Sequence, residues 1–304
     1  MSPTLATAGF AIAGADYALD HARLHAVREV VFVHGQRVPA ELERDALDPL
    51  CFHVLAVDAD GMPVGTARLT PERRIGRMAV LEAFRGRGIG EAMLAALLDE
   101  ARRRGWAEVS LHAQVHALPF YARAGFVPAG PVFDEAGIAH REMRRRLPGA
   151  SAVEDADAAA AVLVALAGHA RRELGIYSRA MDPGLLDRVD VLDALRRFAV
   201  RPGERRVRIL VQDAAVPQRG GAPLLPLAQR LPSVFAFREV RDPVDARYAS
   251  AYAFNDTGGA LFRPLGHRFD GEGGVDDAPV ARRLQLEFER VWERSRPCTE
   301  YRAL

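Results

Sequence analysis

Lysine is missing from the chain: all 41 basic side chains are arginine. Against 40 acidic residues they leave a formal net charge of +1, so no global field marks nucleic acid or a membrane surface as an obligatory partner. The uniform arginine usage reads as codon bias and carries no functional weight. Cysteine is nearly missing too. Cys51 and Cys298 stand far apart, without Cys-x-x-Cys or Cys/His spacing, which argues against a disulfide framework or a structural metal site. No stretch approaches the roughly 18 charge-free apolar residues of a membrane span, and the start lacks the basic residues and apolar run of a secretory signal. These absences predict a cytoplasmic protein.

What is present is ordinary for a globular chain: 304 residues, 49% hydrophobic and 27% charged. That length suggests two domains. Pro148-Gly149 and the acidic, alanine-rich run Ser151 to Ala161 change the composition abruptly and divide the chain into residues 1–149 and 150–304. In the first part, a strand is expected at 9–13, then a helix capped by Asp16 with Leu19, Leu24, Val27, Val30 and Val31 at helical spacing. Strands are expected at 52–58, 63–70 and 74–81, with Asp60-Gly61 as a hairpin signal. A helix ending at Gly105, a strand around Val109, a short helix with Phe120 and Tyr121, and strands at 126–134 and 138–147 complete a mixed α/β fold. The second part reads as another α/β unit. Helices are expected at 162–174, 183–200, 222–231 and 279–295, with strands at 174–178, 207–211 and 234–240 and a hairpin at 248–263.

The segment Arg85-Gly86-Arg87-Gly88-Ile89-Gly90, directly after the strand with Met78-Ala79-Val80, places a glycine-rich turn at a helix start. The first amides of a helix lack internal partners and carry partial positive charge, and glycines let the backbone approach a pyrophosphate. Arg85 and Arg87 add charged donors. Residues 64–126 resemble the GNAT acetyltransferase superfamily, whose acyl-CoA signature Gln/Arg-x-x-Gly-x-Gly/Ala is met by Arg85, Gly88 and Gly90. Phe120 to Phe126 resembles its second landmark. Val31-Phe32-Val33 with Gln36, Gly65 to Leu69, Ala113-Gln114 and Gly137 to His140 look like one bacterial subgroup of small acetyltransferases.

The resemblance implies a GNAT mixed sheet with flanking helices and acetyl-CoA as cosubstrate. Backbone around Met78 to Val80 then bonds the pantetheine, and Arg85 to Gly90 takes the pyrophosphate. It also implies direct attack of a neutral amine on the thioester, with Tyr121 placed to protonate the departing thiolate. The subgroup's Glu is missing after Val33, where His34 stands instead and becomes the candidate base. Gln114, on the same strand face as His112, is expected beside the cofactor. His53, paired with Asp48 in a subgroup pattern, Arg68 and His140 are expected on the acceptor side. The acceptor is a small-molecule or peptide amine, open among polyamine, aminoglycoside, amino acid and protein N-terminus. No metal is expected, because no histidines have ligand spacing. Nucleic acid is not expected either: Arg102 to Arg104 and Arg144 to Arg146 close elements that also carry acids and read as solvated faces.

Residues 170–295 weakly resemble one half of the phospholipase D superfamily, through Val207 to Val211, the hairpin with Asn255-Asp256, and the helix with Phe288 and Trp292. That superfamily needs His-x-Lys as nucleophile and charge stabiliser. Tyr248 to Phe254 contains no His, so the second part is expected to be a degenerate binding or scaffolding module. Asp270 to Asp277 reads as a solvated acidic loop. Two further readings compete with an enzyme: a catalytically silent acyl-CoA sensor, and an interaction protein that captures a phosphodiester or nucleic acid.

Overall fold

A computed structural model describes residues 5–7 and 9–301. The chain forms two compact units, one of Met1–His112 with Asp134–His140, the other of Ala113–Phe133 with Arg141–Leu304. Residue 149, where the composition changes, lies inside the second.

The first unit begins with β1 (Leu5–Thr7), β2 (Phe10–Ala15) and α1 (Tyr17–Arg28). Asp16 caps α1 by accepting from the Ala18 amide, as its side chain and position predict. A π-helical turn at Glu29–Gly35 and the short α2 (Ala40–Glu43) follow. Next come β3 (Phe52–Asp58), β4 (Pro63–Leu69), β5 (Arg74–Val80), α3 (Ile89–Arg103) and β6 (Glu108–Gln114). Strands β1 to β6 lie side by side in chain order. All pairs are antiparallel except β5 with β6. Strand β4 is buried almost continuously, the pattern of a strand covered on both faces, and α1 and α3 both pack on it.

The second unit holds α4 (Leu118–Arg123), most of β7 (Val127–Glu135) and β8 (Ile138–Arg146), then β9 (Ser151–Val153), α5 (Ala156–His169) and β10 (Glu173–Ser178). It continues through α6 (Val189–Ala199), β11 (Arg206–Val211), α7 (Ala215–Arg219), α8 (Leu224–Arg230) and β12 (Phe235–Glu239). β13 (Ala251–Asn255), β14 (Ala260–Arg263), β15 (Gly271–Gly274), α9 (Ala278–Arg294) and β16 (Arg296–Pro297) close it. Its sheet order is β16-β12-β11-β10-β13-β14-β15-β9, with β10, β11 and β12 parallel. Alternate residues of β10 and β11 divide between two cores: Ile176, Val207 and Ile209 join α5, α6 and α8, whereas Tyr177 and Leu210 join Phe288 and Trp292 of α9. This is a sheet between helical layers.

Several boundaries differ from expectation. The helix expected at 162–174 runs instead over Ala156–His169, with the alanine run as its first turns, where Ala158, Ala159 and Ala160 are fully buried; alanine is a strong helix former whose small side chain gives little periodic signal. The helix expected at 183–200 starts only at Val189. Within the acidic loop, Gly271–Gly274 pairs with β14 and β9, and Asp277 caps α9. No helix of the described residues is long and apolar enough to cross a membrane.

Candidate active site

The segment between β5 and α3 turns on two glycines. Gly86 (φ +74°) and Gly88 (φ +83°) both lie in the left-handed region, which glycine enters without steric cost. Gly88 is the N-cap of α3 and supplies no side-chain cap. The first intrahelical bond runs from the Ala92 amide to the Gly88 carbonyl, so the amides of Ile89, Gly90 and Glu91 precede the helix ladder. The Arg85 Nε donates to the Val80 carbonyl at 3.2 Å and an Arg87 terminal nitrogen donates to the Ala83 carbonyl at 2.9 Å. Both arginines are exposed and retain further N–H donors.

Strand β5 is irregular where Met78, Ala79 and Val80 stand. Its register with β4 slips between Thr66↔Ala79 and Arg68↔Gly76, and Arg77 at the slip has φ +50°. The Arg77 guanidinium fastens this bulge by donating to the Glu43 carbonyl (3.1 Å) and the Leu42 carbonyl (2.8 Å). Pairing of β5 with β6 covers only Arg74↔Ser110 and Ile75↔Leu111. Beyond it, Met78 to Val80 present main-chain groups along the edge turned away from β4. A bulge re-aims a strand in this way.

The π-helical turn bears His34. Residues five apart on an α-helix lie about 140° apart around the axis, on different faces. The wider turn instead brings the His34 Nε2 to 3.9 Å from Glu29 Oε1, with both side chains about two-thirds exposed. The apolar side of the turn, Val31 and Phe32, packs with Val27, Ala79 and Leu81, which fixes it to the C-terminal half of β5.

His53 and Arg68 are interior. His53 is fully buried and Arg68 is 6% exposed. The Arg28 guanidinium donates to His53 Nδ1 (3.3 Å) and to Asp48 (3.0 Å), and His53 Nε2 donates to the Asp48 carbonyl at 2.7 Å. Arg68 bonds both Asp48 and Asp45. Both ring nitrogens of His53 are thus engaged, and burial lowers its pKa, which keeps the ring neutral. Burial alone would raise the Asp48 carboxyl, but Arg28 and Arg68 beside it hold it below the usual carboxylate range. Asp48, Cys51 and His53 bring potential ligand atoms within 4.8 Å of one another, yet a cation there would have to displace two guanidinium groups. Asp48, Arg28 and Asp45 escaped sequence reasoning as a set. Only the Asp48/His53 spacing signalled it, since Arg28 ends α1 like any C-terminal arginine.

Because Asp48 compensates two buried arginines, Asp48→Asn should cost roughly 3 to 5 kcal/mol at pH 7, the usual result of breaking a buried pair. Its carboxyl pKa is depressed on folding, so the stabilisation exists above the unfolded value of about 4 and disappears as pH falls through the folded value. Urea denaturation should therefore separate variant and wild type at pH 7 and bring them together in strong acid. Equal stability at pH 7 would show that the network contributes nothing.

His140 is 9% exposed, and its Nδ1 donates to the Ile138 carbonyl at 2.8 Å. His112 Nδ1 meets Glu135 Oε2 at 2.8 Å. Gln114 and Tyr121 belong to the second unit. Tyr121 lies edge-on to Phe120 and Phe126, and burial pushes its hydroxyl up to about 12. The run Arg102 to Arg104 is paired with Asp99 and Glu100, whereas the run Arg144 to Arg146 is not wholly the solvated face expected: Arg145 is buried and donates to the Ala124 carbonyl.

Residues 21–147 match the acetyltransferase (GNAT) domain family, and residues 155–304 match a domain of unknown function, DUF7931. The uncharacterized N-acetyltransferase YjcF of Bacillus subtilis is 37% identical over 123 residues, which are 39% of this chain and 87% of the relative. The UPF0039 protein sll0451 of Synechocystis sp. is 34% identical over 130 residues, 40% of this chain and 84% of the relative. Among solved structures, an acyl-CoA N-acyltransferase from Pseudomonas aeruginosa is 32% identical and covers 45% of this chain and 99% of its own, with a TM-score of 0.41.

Proposed function

The chain belongs to the GNAT acetyltransferase family through residues 21–147, and from that membership we propose that it moves an acetyl group from acetyl-CoA to a primary amine. The observation that carries the reading is the loop Arg85 to Gly90, with its two left-handed glycines opening an α3 that has no side-chain cap. In this proposal the amides of Ile89 to Glu91, with Arg85 and Arg87, hold the pyrophosphate. Main-chain groups of Met78 to Val80 hold the pantetheine, with Gln114 beside it.

The amine nitrogen attacks the thioester carbonyl, the C–S bond breaks, and the amine's surplus proton passes to His34, which Glu29 orients. Tyr121 donates to the departing sulfur. His140 borders the acceptor. His53 and Arg68 are assigned to the acceptor side as positioning residues, since their polar atoms are spent on Asp48, Asp45 and Arg28. Residues 150–304 are proposed as a degenerate phospholipase D-like module that binds or scaffolds. The His-x-Lys pair is missing from that module, and lysine from the whole chain.

Calorimetric titration with acetyl-CoA, followed by a screen of an amine library for thiol release, tests the reading. Saturable binding with thiol release on one amine class is expected. Binding without release on any amine favours the silent sensor, a reading supported by the Glu missing after Val33. A folded protein that does not bind acetyl-CoA would remove both.

A further inference from the structure

The second unit contains a cavity of about 450 Å³ that the acetyl-transfer reading does not use. It opens at the carboxyl ends of the parallel strands β10 and β11, where Ser178 leads into Arg179 and Val211 into Gln212-Asp213. Strand β10 is also the point at which the strand order reverses: β11 and β12 follow on one side of it and β13, β14 and β15 on the other. Open α/β sheets hold their ligands outside the carboxyl ends of strands at such points. The segment before β13, with Arg247 and Ser250, and the segment after β14, with His267, complete the wall.

The backbone of this cavity is fixed from below by buried polar groups. The Tyr177 hydroxyl donates to the Asp245 carbonyl at 2.8 Å, and the Gln212 amide donates to the Tyr248 carbonyl at 2.7 Å. Arg263, 2% exposed, pairs with the buried Asp182 and donates to the Gly266 and Arg268 carbonyls. The three segments that carry Arg179, Arg247 and His267 are thereby anchored. The charged tips are not: among the described residues, these three side chains make no hydrogen bond or ion pair, and all are exposed. Asp213, the one carboxylate in the wall, has an oxygen turned to the Ala215 and Val216 amides at the start of α7. What remains is a rigid, concave site with two free guanidinium groups and an imidazole; the Ser250 hydroxyl beside them already donates to the Pro264 carbonyl at 2.9 Å.

We propose that this cavity binds the phosphate group of a small phosphorylated molecule. Guanidinium forks match phosphate oxygens in pairs, and the volume falls within the range of small-ligand sites, about 300 to 1,000 Å³. The proposal is independent of the acetyl-transfer reading, because every residue it uses lies in the second unit and none in the glycine loop.

The test is calorimetric titration of the full chain with inorganic phosphate and with glycerol 3-phosphate, each repeated with saturating acetyl-CoA. Saturable binding is expected, with the monoester at least as tight as the free ion. The double variant Arg179→Gln/Arg247→Gln removes two exposed, unpaired side chains, so its melting curve should match the wild type. Its phosphate affinity should fall at least about a hundredfold, tenfold or more for each charged donor lost, while acetyl-CoA affinity stays unchanged. No saturable binding of either probe would overturn the proposal, as would undiminished affinity in the double variant.

Discussion

Gly88→Val should fold and lose acetyl-CoA binding, with affinity down at least about a hundredfold. Around the position of a Gly88 Cβ no protein atom lies within 4 Å, so a side chain meets no clash in the fold. A β-branched residue at φ +83° costs about 1 to 2 kcal/mol of backbone strain, which a stable domain survives. The loss falls on the ligand instead. The segment gives up the conformation that turns the amides of Ile89 to Glu91 outward, and the new methyl groups occupy space beside the α3 terminus that a pyrophosphate needs. Calorimetry on a variant with a wild-type circular dichroism spectrum checks this. Unchanged affinity would detach the phosphate role from the loop.

The second large effect is expected on rate. Tyr121→Phe should keep acetyl-CoA affinity and lower turnover about 10² to 10⁴-fold, the usual contribution of a positioned acid. Burial among Phe120 and Phe126 pushes the Tyr121 hydroxyl up to about 12, so it is protonated at every pH near neutrality. Such a weak acid gives most of its help as a hydrogen-bond donor to the developing thiolate. The hydroxyl has no hydrogen-bond partner among the described residues, so its removal should leave the melting temperature nearly unchanged. Steady-state kinetics with the amine found by screening separates the outcomes, and wild-type turnover would return Tyr121 to a packing role.

The fold is most legible in the sequence where chemistry and local geometry coincide. The glycines at 86 and 88 were legible because only a turn into a helix start needs them, and the strands of residues 52–80 because hydrophobic runs end in turn signals. The Asp16 cap and α9, with its apolar Leu284, Phe288, Val291 and Trp292, were legible for the same reason. The π-helical turn was not. A turn widened by one residue leaves the apolar spacing of Val27, Val30 and Val31 nearly helical, and nothing in the letters brings Glu29 to His34. The interior network of Arg28, Asp48, Arg68 and His53 was hidden for a different reason: charged residues read as surface, and only tertiary packing reveals which ones pair in the interior. The cavity of the second unit draws Arg179, Gln212, Arg247 and His267 from four loops, a convergence that no local motif encodes.

Segments 113–133 and 141–147 bear on how the protein can be cut. Val127 joins the core formed by α5, α4 packs on that helix, and Gly125 lies so close to Val275 that a Cβ would stand 2.7 Å from a methyl group. The chain therefore passes from one compact unit to the other at 112–113, 133–134 and 140–141. A nick in the connection after Arg146 leaves the packing of 113–133 and 141–146 within the second unit in place, and the two pieces should stay together under native conditions and separate in denaturant.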